Sequence, residues 1–178
     1  MDLLKLATDW AKAEVFSTKF FILFAFAFLI ASIGFWQLGK TEIARAYIMP
    51  TLVAGILLLI IGSGLLYTNI QRVSQFEKEY HANAETFLDS EISRSEATLK
   101  EYRTIVFKVI PIIIIVAALL IIFLSTPTWR AISITTIAML IVILLVDGTA
   151  HSRIEAYYKK LKLVEVNTAN INSPAVKN

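Results

Sequence analysis

Four stretches of the chain, Phe20 to Gly39, Ala46 to Gln71, Val109 to Trp129 and Ala131 to Val146, contain no Asp, Glu, Lys or Arg. A bilayer core about 30 Å thick is crossed by roughly 20 apolar residues in a helix that rises about 1.5 Å per residue. Each stretch can therefore cross once, the last with help from its flanks. The expected fold class is all-α: a polytopic membrane protein built as a four-transmembrane-helix bundle. A soluble core of a 178-residue chain could not absorb this much apolar surface, since 57% of the residues are hydrophobic and only 17% are charged.

The few charges are placed unevenly. With four crossings, the N-terminus, the middle loop and the C-terminus share one side. All but three of the 17 Lys and Arg fall there; Lys40, Arg45 and Arg130 are the exceptions. Basic residues accumulate in cytoplasmic loops, so both termini and the middle loop are expected in the cytoplasm, with the protein in the plasma (inner) membrane. The net charge of +3 reflects residues beside anionic headgroups, not a basic patch interleaved with aromatics, and no nucleic-acid partner is expected. Cysteine is absent, which removes disulfides, thiolate catalysis and Cys-ligated metal centres.

Residues 1–19 are too long and too acidic for the basic n-region of a cleaved leader, with Asp2, Asp9 and Glu14 among the lysines. They read as an amphipathic helix: Leu3, Leu4, Ala7, Trp10, Ala11 and Val15 recur on one face, as in a helix lying in the headgroup layer. Residues 20–67 form the first hairpin, with spans at 20–38 and 46–67. Residues 105–146 form the second, with spans at 105–124 and 129–146.

Between the hairpins, 68–104 contains neither Pro nor Gly, and its apolar residues step by three and four. This predicts cytoplasmic helix with a reversal either in Asp89–Ser95, where Ser93 and Glu96 have capping-box spacing, or earlier, around Asn83. After the last span, Ile154, Tyr157, Tyr158 and Leu161 extend a helical stripe over 147–163. That arm carries +2 and the middle segment −2, so the two are expected to pack together as cytoplasmic helical extensions. Residues 164–178 lack apolar periodicity and are expected to be disordered.

Two rows stand out as candidate chemistry. Glu77, His81 and Glu85, and again Asp147, His151 and Glu155, present carboxylate, imidazole and carboxylate at one-turn spacing. Such ligands can hold zinc, manganese or iron. The two rows stand at different heights above the membrane, and carboxylates four residues from a base commonly form exposed helix pairs, so no metal site and no cofactor is expected. Asp147 ends a charge-free run, and with His151 it is the candidate ion or proton site. Gly55, Gly62, Ser63 and Gly64 permit close helix approach in the second span, Pro111 can kink the third, and Ser133, Thr135 and Thr136 offer interhelical hydrogen bonds.

No nucleophile with a base and no clustered ligand set is visible, so the chain is expected not to be an enzyme. The expected function is that of a scaffold or accessory subunit that contacts a membrane-complex partner or a second copy through its cytoplasmic helices. The alternative is a homo-oligomeric ion channel or small transporter with its pore between subunits.

Overall fold

The computed structural model describes residues 2–172, and these are helical apart from short turns, with no strand among them. The elements are α1 (Leu3–Leu38), α2 (Glu42–Ala46), α3 (Ile48–Ala82), α4 (Ala84–Glu101), a π-helical segment (Tyr102–Val109), α5 (Ile110–Phe123) and α6 (Pro127–Asn172). Four helical units are long and apolar enough to cross a membrane.

Three boundaries differ from the sequence reading. Residues 3–19 are not a separate interfacial helix, because α1 runs unbroken to Leu38. Its N-terminal stripe has protein to pack against: Leu3, Ala7, Trp10 and Ala11 are buried, whereas Val15 is only half-buried. The break between α3 and α4 falls at Asn83, whose side chain accepts from the N–H groups of Glu85 and Thr86, both at 3.0 Å. Ser93 and Glu96, the competing cap, lie inside α4. Asn83 wins because an extended backbone (φ −162°, ψ 107°) lets its amide satisfy two donors that the new helix would otherwise orphan. The third difference is the tail: α6 continues to Asn172. No Pro or Gly intervenes before Pro174, and Lys162 pairs with Glu165 across 2.9 Å. Residues 173–178, the rest of the expected tail, lie outside the described residues.

At the far end, both hairpin turns close in the same way. Arg45 Nε donates to the Gly39 carbonyl at 3.1 Å, and Arg130 Nε donates to the Leu124 carbonyl at 3.3 Å. Each arginine thus covers the unsatisfied carbonyl end of the helix before it. A Cβ on Gly39 would lie 2.2 Å from the Phe35 carbonyl oxygen, so the first turn requires glycine.

The hairpin of α1 and α3 is closely packed along its length. A Cβ on Gly55 would fall 2.8 Å from Leu29 Cγ, and one on Gly62 would fall 2.9 Å from Phe21 Cβ, so both glycines serve helix approach. Gly64 faces open space. Val142 and Val146 of α6 complete this interface by packing on Phe21, Ala25 and Leu58. α5 docks chiefly on α6 and leaves Ile112, Ile115, Ile122 and Phe123 exposed on its outer side. Ser133 Oγ and Thr135 Oγ1 are buried without partners, contrary to the expected interhelical hydrogen bonds.

Toward the end that holds Asp2 and Asn83, the helices outrun their apolar runs and build a second core. Trp10 from α1, Phe76 from α3, Phe87, Ile92 and Leu99 from α4, and Ile154, Tyr157 and Leu161 from α6 form one buried cluster. The π-helical segment links this core to α5. Pro111 lacks an N–H and its ring crowds the carbonyl four residues back; the preceding turns widen instead, and the Ile110 N–H donates to the Ile105 carbonyl.

Candidate functional site

Where the two cores meet, five elements enclose a cavity of about 560 Å³. Its membrane side is apolar, with Phe21 of α1, Leu65 of α3, Ile105 and Val106 of the π-helical segment and Val146 of α6. Its other walls are polar: Glu14 and Thr18 come from α1, Asn69 and Arg72 from α3, Arg94 and Thr98 from α4, Tyr102 from the π-helical segment and Asp147 from α6. Helical spacing sets this arrangement. Glu14 follows Trp10 by four residues and Arg72 follows Asn69 by three, so the polar groups share faces with buried ones.

Two ion pairs frame the cavity. Glu14 accepts two hydrogen bonds from Arg153, at 2.9 and 3.3 Å, joining α1 to α6. Glu91, buried on α4, accepts a bidentate pair from Arg94 and a third hydrogen bond from the Tyr157 hydroxyl at 2.7 Å. Burial, followed by the nearby Glu91 carboxylate, pushes the Tyr157 hydroxyl well above its ordinary value and keeps it a donor. Trp10 stacks on Tyr157 with ring centres 5.0 Å apart, and the Arg94 guanidinium lies 4.6 Å from the centre of the Trp10 ring. Such a stack of tyrosine, tryptophan and guanidinium fixes the Arg94 fork in one plane. The indole Nε1 of Trp10 is buried without a partner.

Other groups remain uncommitted. Arg72 makes one side-chain hydrogen bond, from Nη1 to Asn69 Oδ1 at 3.1 Å, while Asn69 Nδ2 donates to Thr18 Oγ1 at 3.3 Å. Burial and the neighbouring Arg94 draw the Arg72 guanidinium below its ordinary value. Asp147 begins just past the apolar run of the last span, and its carboxylate has no hydrogen-bond or ion-pair partner among the described residues. Burial, reinforced by Glu14, pushes the Asp147 carboxyl up to about 6. Burial and then Asp147 raise the Tyr102 hydroxyl.

The predicted histidine rows do not assemble. Glu77, His81 and Glu85 are all exposed, and the turn at Asn83 separates Glu85 from the other two. Asp147 lines the cavity, whereas the His151 ring sits edge-on to Phe107 at 5.0 Å and Tyr102 at 5.8 Å, its Nε2 buried without a partner. No hydrogen bond joins Asp147 to His151. Glu155 pairs with Lys159 across 2.8 Å. Among the described residues, no group of three or more His, Asp or Glu side chains is placed to hold a metal ion.

Comparisons with protein-family models, with curated proteins and with solved structures give no match. The cavity must be read from its own chemistry. Its polar lining residues Glu14, Asn69, Arg72 and Arg94, and the buried Glu91 that holds Arg94, were not singled out by the sequence as candidate chemistry. A usable signal existed for two of them: Glu14 falls in the Ala7, Trp10, Ala11 stripe, and Glu91 falls in the Phe87, Leu88, Ile92 stripe. A charge inside an apolar stripe needs a buried partner.

Proposed function

We propose that this chain is a non-enzymatic integral membrane protein of the plasma (inner) membrane that acts as a scaffold or accessory subunit, with both termini and the Asn83 turn in the cytoplasm. The observation that carries this reading is the packed extramembrane core, in which α1, α3, α4 and α6 meet around Trp10, Phe87, Ile154 and Leu161. These helices spend their apolar faces on one another and leave Glu77, Glu79, Glu85, Asp89 and Glu96 exposed on the outside of α3 and α4. A rigid platform with an acidic outer face suits docking of a basic protein segment from a membrane complex or a second copy. A pore between copies has less support. It would need Asp147 on the face that one subunit turns to the next, and Asp147 lines a cavity within the single chain.

The test has two arms. A photo-crosslinking residue at Glu79, Glu85 or Glu96 should give a discrete adduct in cells, and the same residue at the outward-facing Ile122 should give none from this platform. Purified protein in liposomes should show no ion flux above empty vesicles. Flux that Asp147→Asn reduces, with no adduct at α4, would replace the scaffold reading by the channel. Cysteines at Lys40 and Thr128 should label with an impermeant thiol reagent in intact cells, and cysteines at Glu77 should not; the reverse pattern overturns the orientation.

A further inference from the structure

The cavity has unmet chemistry of both signs. Arg94 and Glu14 are committed to Glu91 and Arg153, but Arg72 has the Asn69 amide as its one hydrogen-bond partner beside the face of the Trp10 ring at 5.9 Å, and Asp147 has no partner among the described residues. Trp10, 9% exposed, lines the same space with its ring, while its indole N–H is shut away from it and donates to nothing. A half-buried guanidinium and a half-buried carboxylate that line one volume call for a ligand that carries an oxyanion and an ammonium together.

The position of the cavity identifies the source of that ligand. It lies at the level where the apolar runs end, the height of lipid headgroups. Leu65 of α3 and Ile105 of the π-helical segment both line it and are 42% and 52% exposed, so its wall is open sideways toward the membrane at two apolar residues. The volume of about 560 Å³ falls within the usual range of small-molecule sites. The geometry points to a built site for a zwitterionic phospholipid headgroup, with a primary ammonium against Asp147, a phosphodiester against Arg72, and acyl chains leaving between Leu65 and Ile105. A primary ammonium is favoured over a quaternary one because only the former donates hydrogen bonds to a carboxylate.

The experiment is lipid retention by the full chain, read by native mass spectrometry after exchange into detergent with one added lipid. Phosphatidylethanolamine should be retained about tenfold or more better than phosphatidylglycerol, and Asp147→Asn or Arg72→Gln should each remove most of that preference. Lys159→Ala, at an exposed position away from the cavity, should leave it unchanged. The preference of the unmodified protein needs no variant, so a poorly folding substitution does not decide the outcome. Equal retention of the two lipids overturns ammonium recognition. Competition by soluble glycerophosphoethanolamine at the concentration of the intact lipid overturns the lipid as source. Preference that survives both cavity variants places the lipid elsewhere and overturns the site.

Discussion

The half of this molecule that holds the long apolar windows and the half beyond them are built from the same helices but solve opposite problems. Within the apolar window of each spanning unit only 17, 28, 17 and 33% of residues are buried by protein, because hydrocarbon is as good a neighbour for isoleucine as another side chain. Past Asp147 and before Thr18 that indulgence ends. There each apolar side chain meets a partner or faces water, and the helices converge on one core that also encloses Glu91 and its three hydrogen bonds. The same chain thus has a loosely joined membrane layer and a tightly specified cap, and the two should respond differently to the same substitution.

Glu91→Ala should have the largest effect. It leaves the Arg94 guanidinium and the Tyr157 hydroxyl without their buried acceptor, and a loss of about 3–5 kcal/mol is expected in a denaturant titration of the protein in mixed micelles. Leu161→Ala follows, at about 2–5 kcal/mol, since Leu161 is wholly buried in the cap. Tyr157→Phe removes one hydrogen bond to a charged group and should cost about 1.5–3 kcal/mol by the same titration.

Asp147→Asn should change the slope of stability against pH more than its level. The folded-state value of Asp147 is raised to about 6, so the folded state holds its proton more tightly than the unfolded chain. Its contribution to stability is fully present below the ordinary carboxylate value and is lost as pH rises through about 6. The asparagine variant should lose that decline; a wild-type slope in the variant would assign the effect to another group. Smallest of all is Ile122→Ala, at 72% exposure on α5: a change within about 0.5 kcal/mol is expected. A large loss there would mean that α5 has a protein neighbour, and the contrast between the two layers would fail.

The same contrast governs what could be read from sequence. A membrane demands long charge-free runs, and such runs are visible without knowing what they touch, so the four apolar helices were legible. The stripes of α4 and α6, with Phe87, Leu99, Ile154 and Leu161, were legible for the related reason that period reveals a buried face. The turn was ambiguous because the capping-box spacing lies at Ser93 and Glu96, whereas the cap forms at Asn83, where Phe76 and Tyr80 of α3 come to pack against Phe87 of α4. Of the cavity, the sequence marked Asp147 and carried a signal for Glu14, but not the residues that surround them. Glu14 finds Arg153 across 139 residues of chain, and Asn69 finds Thr18 across 51; nothing local encodes such pairs. The histidine rows show the limit of spacing, which aligns side chains along a helix without fixing which way that helix faces.

The order in which the cap is assembled gives α6 a special place in the making of the protein. The hairpin of α1 and α3 can close as soon as it is synthesised, because Gly55 and Gly62 supply its contact surface from within the first 82 residues. α4 then emerges with Phe87, Leu88 and Ile92 facing a gap whose remaining wall is Ile154, Tyr157 and Leu161, which are translated only after α5 and the first half of α6. Until then Glu91 has Arg94 but not the Tyr157 hydroxyl, and Glu14 waits without Arg153. A nascent chain stalled before residue 150 should therefore carry an inserted first hairpin beneath an open, protease-sensitive cap, and completion of α6 is the step that converts an inserted chain into a finished one.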